Sequence, residues 1–166
     1  MTAGARPPFA GHGIEKAIIM KYEIAIAAAL AALVGAGAAQ AADHQVQMLN
    51  RGEKGVMVFQ PDFVVAQPGD TVTFVPTDKS HDAASIVGMI PDGVQPVMGE
   101  MSKPLTVKLD KEGVYGFKCV PHYGMGMVAL VVVGKPVNLS QAEAVKQPGL
   151  AQKKFATLFA EVPSGK

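Results

Sequence analysis

The middle of the chain is a series of short apolar or β-branched runs, each stopped by turn residues. The run at 46–49 is stopped by Asn50-Arg51-Gly52, and the run at 56–59 by Gln60-Pro61-Asp62. Phe63–Ala66 leads into Pro68-Gly69-Asp70, a tight-turn signature. Residues 71–75 alternate polar and apolar, as a half-buried strand does. A long polar stretch rich in Gly and Pro fills 77–101, then Leu105–Leu109 alternates again. Residues 114–118 and 127–133 complete the series, and the apolar run within the last predicts a central buried strand. Strands at this spacing predict an all-β fold, a two-sheet Greek-key β-sandwich. After Gly134-Lys135-Pro136 the period changes. Asn138 is placed to cap a helix over 139–146, and Pro148-Gly149 breaks it. Leu150, Phe155, Leu158 and Phe159 then mark the apolar face of a second helix. The expected organisation is a sandwich over 42–137 and a C-terminal α-helical extension over 138–166, packed on it as cover.

The first forty residues do not belong to that pattern. Residues 24–39 are apolar or small without a charge, Lys21 precedes them, and Ala39-Gln40-Ala41 has a small-x-small form. A basic start, a short apolar run and an A-x-A ending predict a secretory signal peptide over 20–41, cleaved after Ala41. The run is too short and too rich in alanine to span a bilayer comfortably. Residues 1–19, with Pro7-Pro8, Gly11-His12-Gly13 and Glu15-Lys16, do not suit a signal, and Met20-Lys21 is a better start. They are read as an over-long N-terminus. The working protein is then residues 42–166, expected in the periplasm, free of the membrane after cleavage, and monomeric.

Composition narrows the functions. The net charge of +1 leaves no basic excess for nucleic acid. From Ala42 onward twelve Lys and Arg face twelve Asp and Glu, so partner recognition rests on where charges sit. One cysteine excludes an intramolecular disulfide. With 18 Gly and 12 Pro, no Trp and 6% aromatics, short elements joined by turns are favoured over long helices.

Chemistry concentrates in Tyr115-Gly116-Phe117-Lys118-Cys119-Val120-Pro121-His122-Tyr123-Gly124-Met125-Gly126-Met127. The only cysteine lies three residues before His122, with Met125 and Met127 close behind; His81 lies in the loop after the 71–75 run. A thiolate, two imidazoles and a thioether make the donor set of a blue-copper site, with His₂Cys in a plane and a weak axial Met. Singly, each residue has a plainer reading: Cys119 as a small buried apolar group, the histidines as loop residues, Met127 as core. A lone thiol in an exported chain nonetheless calls for a role, and metal ligation keeps it as thiolate. A Cys119–His122 hydrolase is the competing explanation, but no third orienting residue is in view. A copper oxidase fragment would need more histidines, and only His44, read as a solvated surface residue, is left. A copper chaperone or storage protein is the remaining alternative, encouraged by nine methionines including Met89, Met98 and Met101.

The chain resembles the cupredoxins, the blue type 1 copper family, and within them the pseudoazurins. The resemblance covers residues 42–166. It rests on Met48-Leu49-Asn50, Met57-Val58-Phe59, Pro68-Gly69-Asp70-Thr71-Val72-Thr73-Phe74, Pro76-Thr77-Asp78-Lys79, Gly88-Met89-Ile90-Pro91-Asp92-Gly93 and the run from Cys119 to Met127. It implies one copper ion held by His81, Cys119, His122 and Met127, and it selects Met127 over Met125. It implies an apolar patch of Pro76, Pro121 and Met125 around a partly exposed His122, ringed by Arg51, Lys54, Lys79 and Lys118. Met98 stands where the family would carry a lysine of that ring. Met57 resembles the residue packed near the second histidine. Two positions depart from the pattern: Asp82 where Asn is usual, and Val120 where Ser or Thr is common. In the family those side chains tie the ligand loops together. A charged Asp82 beside the thiolate is expected to favour Cu(II) and lower the reduction potential. The implied role is one-electron transfer, without catalysis, to a nitrite reductase, a cytochrome or a similar redox partner.

Overall fold

The computed structural model describes residues 40–163, together with Met1 and Gly4. The expected over-long start at 1–19 and nearly all of the signal segment at 20–41 lie outside the described residues. Among those described, no helix is long and apolar enough to cross a membrane.

Eight strands form two four-stranded sheets. The first contains β1 (Asp43–Gly52), β2 (Gly55–Gln60), β4 (Asp70–Pro76) and β6 (Leu105–Leu109), in the order β2-β1-β4-β6. The second contains β3 (Phe63–Ala66), β5 (Ala84–Ser85), β7 (Gly113–Lys118) and β8 (Val128–Val133), in the order β3-β8-β7-β5. β1 pairs parallel with β4 and β3 parallel with β8; the other pairings are antiparallel. The expected two-layer β-sandwich is therefore present. Val46, Met48, Val72 and Phe74 of the first sheet meet Tyr115, Phe117, Val131 and Val133 of the second in one core. Phe74 joins the layers, its ring 4.7 Å from Phe117 and 5.2 Å from Phe59.

The apolar run of β8 has a physical cause. Ala129, Val131 and Val133 face the sandwich core, while Val128, Leu130 and Val132 face Ala142, Ala151, Phe155 and Leu158 of the C-terminal helices. A strand covered on both faces has no polar side to alternate with. The helices are α1 (Leu139–Glu143) and α2 (Leu150–Ala160). Burying a side chain such as Phe155 contributes about 2–3 kcal/mol, so the tail is an integral layer of the fold. Asp62 reinforces it: this carboxylate, 4% exposed, receives Lys54 Nζ at 2.6 Å and Lys154 Nζ of α2 at 2.5 Å.

Four local readings are corrected. Asn138 makes no side-chain cap. Its Oδ1 instead accepts from Val114 N–H at 2.7 Å and its Nδ2 donates to Val114 O at 3.0 Å, pinning the tail to β7. The expected helix over 139–146 ends at Glu143. β5 lies inside the polar, Gly- and Pro-rich stretch at 77–101, for which no strand was expected, pairing with Phe117 and Lys118. His44 is part-buried rather than solvated, its Nε2 3.0 Å from Asp70 Oδ2. Asp70 also accepts from Gln67 N at 2.9 Å and Ala42 N at 2.8 Å. The Gln67 N–H, the His44 ring and the Ala42 N–H hold its carboxyl down at about 2.

Candidate metal centre

Three donors converge at one end of the sandwich. Cys119 directly follows β7, and His81 sits in the loop between β4 and β5; both are fully buried. His122 is half-buried and opens a short 3₁₀ turn, Tyr123–Met125. The turn closes with Gly126 at φ 89°, a left-handed position that suits glycine. Cys119 N–H bonds Met127 O at 3.0 Å and Met127 N–H bonds His122 O at 3.3 Å, so the loop returns on itself before β8 begins.

Cys119 Sγ lies 3.4 Å from His122 Nδ1 and 3.8 Å from His81 Nδ1, and the two ring nitrogens are 3.2 Å apart. A point equidistant from the corners of that triangle is about 2 Å from each, close to ordinary metal–imidazole and metal–thiolate lengths. Three donors this close, two of them buried, form a nest for one ion. The donor set of soft sulfur with imidazole suits copper.

The ring of His81 is oriented from behind. Its Nε2 lies 3.0 Å from Asn50 Oδ1. An amide oxygen can only accept, so Nε2 carries the hydrogen and Nδ1 keeps a free lone pair. Asn50 N–H in turn donates to Asp78 Oδ2 at 2.7 Å, stitching the end of β1 to the His81 loop. Burial, then the neighbouring His122, lowers the pKa of His81 and keeps the ring neutral. Burial pushes the Cys119 thiol up to about 11, against a backbone N–H from Asp82 that lowers it. Metal loading therefore has to displace a thiol proton.

The remaining residues singled out from sequence fall around this centre. Met127 is fully buried in the same cluster as Cys119, whereas Met125 is 48% exposed. Asp82 is buried, and its Oδ1 accepts from Val120 N–H at 2.7 Å. The two ligand loops are thus tied through the backbone of residue 120, which the Val120 side chain does not affect. Met57 packs against the core edge and lines a surface groove of ≈ 280 Å³ with Met125 and Leu150. Pro76 is half-buried and Pro121 exposed; Arg51, Lys54 and Lys79 are exposed, though Lys54 is engaged with Asp62. Lys118 Nζ sits 4.9 Å over the Tyr123 ring. Asn50 is the functional residue that sequence reasoning missed, because it was read as part of a turn.

The C-terminal tail also bears on the ligand loop. Gly149 has φ 52° and ψ −128°, and a Cβ there would lie 2.4 Å from Gly124 O. Gly149→Ala is expected to cost about 1–3 kcal/mol in urea unfolding and to shift the visible spectrum of the metal-loaded protein, because Gly124 has to move. An unchanged spectrum would show that the tail does not hold the loop.

Comparison with known proteins agrees with this geometry. Residues 46–134 match the family model of copper-binding proteins of the plastocyanin/azurin family. The pseudoazurin of Paracoccus pantotrophus is 48% identical over 139 residues, covering 83% of this chain and 94% of that protein. The pseudoazurin of Methylorubrum extorquens is 49% identical over 147 residues, covering 87% and 99%. The chain belongs to the pseudoazurin family. The crystal structure of pseudoazurin from Hyphomicrobium denitrificans superposes with a TM-score of 0.71 at 53% identity, covering 74% of this chain and 99% of that one. Like other pseudoazurins it is a copper protein that carries electrons and is not an enzyme. The buried thiol fits this, since a high thiol pKa is the reverse of what a nucleophilic cysteine needs.

Proposed function

We propose that His81 Nδ1, Cys119 Sγ and His122 Nδ1, together with the thioether of the buried Met127, would hold one copper ion. The observation that carries this reading is the donor triangle, with sides of 3.2 to 3.8 Å. Copper supplies a one-electron couple there, and soft sulfur with imidazole serves both oxidation states. The chain's own work is to hold the donors still. Asn50 fixes the His81 ring, Asp82 ties the two loops, and the core encloses Cys119 and Met127. A site enclosed in this way favours retention of the metal over the release that a copper chaperone needs.

Of the three donors His122 alone is not fully buried, so the electron would leave through its imidazole. Pro76, Pro121 and Met125 would form the apolar contact around it. Arg51, Lys79, Lys118 and in part Lys54 would steer an acidic partner, giving fast and short-lived encounters. Cleaved after Ala41, the protein would work in the periplasm as a monomer donating to a nitrite reductase or a cytochrome.

The deciding measurement is the visible spectrum of residues 42–166 after addition of Cu(II) and then a mild reductant. An intense thiolate-to-copper band that bleaches reversibly is expected. A colourless adduct would remove Cys119 from the ligand set. The Asp82 carboxylate gives a further expectation. Removing its charge with Asp82→Asn keeps an acceptor for Val120 N–H and is expected to raise the reduction potential by roughly 50–100 mV in voltammetry. An unchanged potential would show that solvent or a neighbouring dipole already cancels the charge.

A further inference from the structure

The residues that become the amino terminus carry a second set of metal donors, far from the first. If the chain is cut after Ala41, it begins Ala42-Asp43-His44. The Ala42 amide nitrogen then becomes a primary amine, with a histidine at the third position. An amine, the next two amide nitrogens and the imidazole Nδ1 of a third-position histidine can close three fused chelate rings around one ion. That four-nitrogen square suits Cu(II) and Ni(II), whereas Zn(II) prefers a tetrahedron.

The fold brings the two ends of this chelate together. Asp70 Oδ1 holds Ala42 N at 2.8 Å and Asp70 Oδ2 holds His44 Nε2 at 3.0 Å. A carboxylate that holds Nε2 selects the tautomer with Nε2–H, leaving the Nδ1 lone pair free, and Nδ1 is the nitrogen the chelate uses. Ala42 and Asp43 are exposed and His44 is part-buried. β1 pairs with β2 only from Gln47 onward, so residues 43–46 have a single neighbouring strand, β4. Closing the square around a metal requires this first stretch of strand to lift from β4, giving up the Thr71 N–H bond to Ala42 O, the Thr71 and Thr73 hydroxyl bonds to Asp43 and the Asp70 contacts that had gathered the two ends. From Asp43 to Asn50, which backs His81, is seven residues of strand, about 23 Å at ~3.3 Å per residue. The two sites would not share a ligand.

We infer that the processed amino terminus, Ala42-Asp43-His44, is a second metal site of this protein, selective for square-planar Cu(II) or Ni(II) and created only by cleavage after Ala41. Binding releases the ammonium proton and two amide protons to solvent, and the resulting complex of M²⁺ with two amide anions, an amine and a neutral imidazole carries no net charge. No electron is exchanged. The site would hold Cu(II) without a thiolate, and therefore without the colour or the fast redox cycling of the Cys119 centre. This inference rests on the cleavage reading given above.

The test uses residues 42–166 with an authentic Ala42 amino terminus, loaded first with one equivalent of Cu(II) to fill the Cys119 centre, and then titrated with Ni(II). One further equivalent of Ni(II) is expected to bind, as a diamagnetic square-planar species with weak d–d absorption, while the thiolate band stays unchanged. A chain with one extra glycine before Ala42, and a His44→Gln chain, are expected to lose the Ni(II) site and keep the thiolate band, which also shows that both fold. No second equivalent in the authentic chain, or one retained by the glycine-extended chain, overturns the proposal. Mass measurement of the amino terminus of the exported protein tests the cleavage separately. A start other than Ala42 would mean the site never forms in the cell, even if the titration succeeds.

Discussion

Cys119→Ala is expected to erase the intense visible absorption of the copper-loaded protein and its electron transfer, while leaving the metal-free fold close to its original stability. Cys119 is fully buried beside Phe117 and Met127, and its backbone N–H bonds Met127 O. Alanine preserves that backbone bond. Burial pushes the thiol up to about 11, so without metal the side chain is neutral and acts as a small apolar group. Removing one buried sulfur leaves a small void, worth about 1 kcal/mol. With metal the balance reverses, because the thiolate is the donor that gives both the charge-transfer band and the affinity for Cu(I). His81 and His122 would still bind Cu(II), but as a pale adduct. Stabilisation by bound copper, which grows with its affinity, would fall accordingly. The two readouts are the absorption spectrum and urea unfolding of the metal-free form. A persisting band would mean another sulfur ligates copper. A loss of several kcal/mol in the metal-free protein would mean the thiol is chiefly structural.

Much of this site was legible because its chemistry is local in sequence. Cys119, His122 and Met127 lie within one nine-residue loop, and only His81 comes from elsewhere. The strands marked by a bounded apolar run or by alternation were also legible: Phe63–Ala66 and Leu105–Leu109 form over the residues their pattern marks. What escaped depends on contacts distant in sequence. β5 is two residues, Ala84 and Ser85, too short for any period, and exists because the edge of β7 is there to pair with. Asn138 has the composition of a helix cap, but Val114 offers both a donor and an acceptor, and two bonds across the fold outweigh one local cap. Asn50 and Asp70 both looked like turn residues. Their side chains instead reach histidines 31 and 26 positions away, and no spacing rule announces that. The apolar run of β8 was read correctly as a buried strand, although its second covering layer proved to be the helical tail.

Stripping Asp62 of both its lysines should be among the most destabilising changes outside the metal centre. Asp62 is 4% exposed and sits between Lys54 and Lys154, whose own side chains are 57% and 25% exposed. Burial alone would push the Asp62 carboxyl up; the two ammonium groups outweigh it and hold the pKa below the ordinary carboxylate value. A group lowered in this way stabilises the fold above its unfolded pKa, and the contribution is lost as pH falls through the folded value. Replacing both lysines by methionine strips the partners and leaves the carboxylate buried. The expected loss is about 3–5 kcal/mol in urea unfolding at pH 7, the usual cost of a buried charge left unpaired. The pH dependence should also change sign. Burial then dominates, the folded pKa rises above the unfolded one, and the double variant should gain stability relative to the parent as pH is lowered from 7 toward 5, both forms sharing the loss that the lowered His81 pKa brings over that range. Lys54→Met alone should cost much less, because Lys154 still reaches the second oxygen. A double variant that loses under about 1 kcal/mol with an unchanged pH slope would mean that water enters the Asp62 site, and that the tail is held by Phe155 and Leu158 rather than by charge.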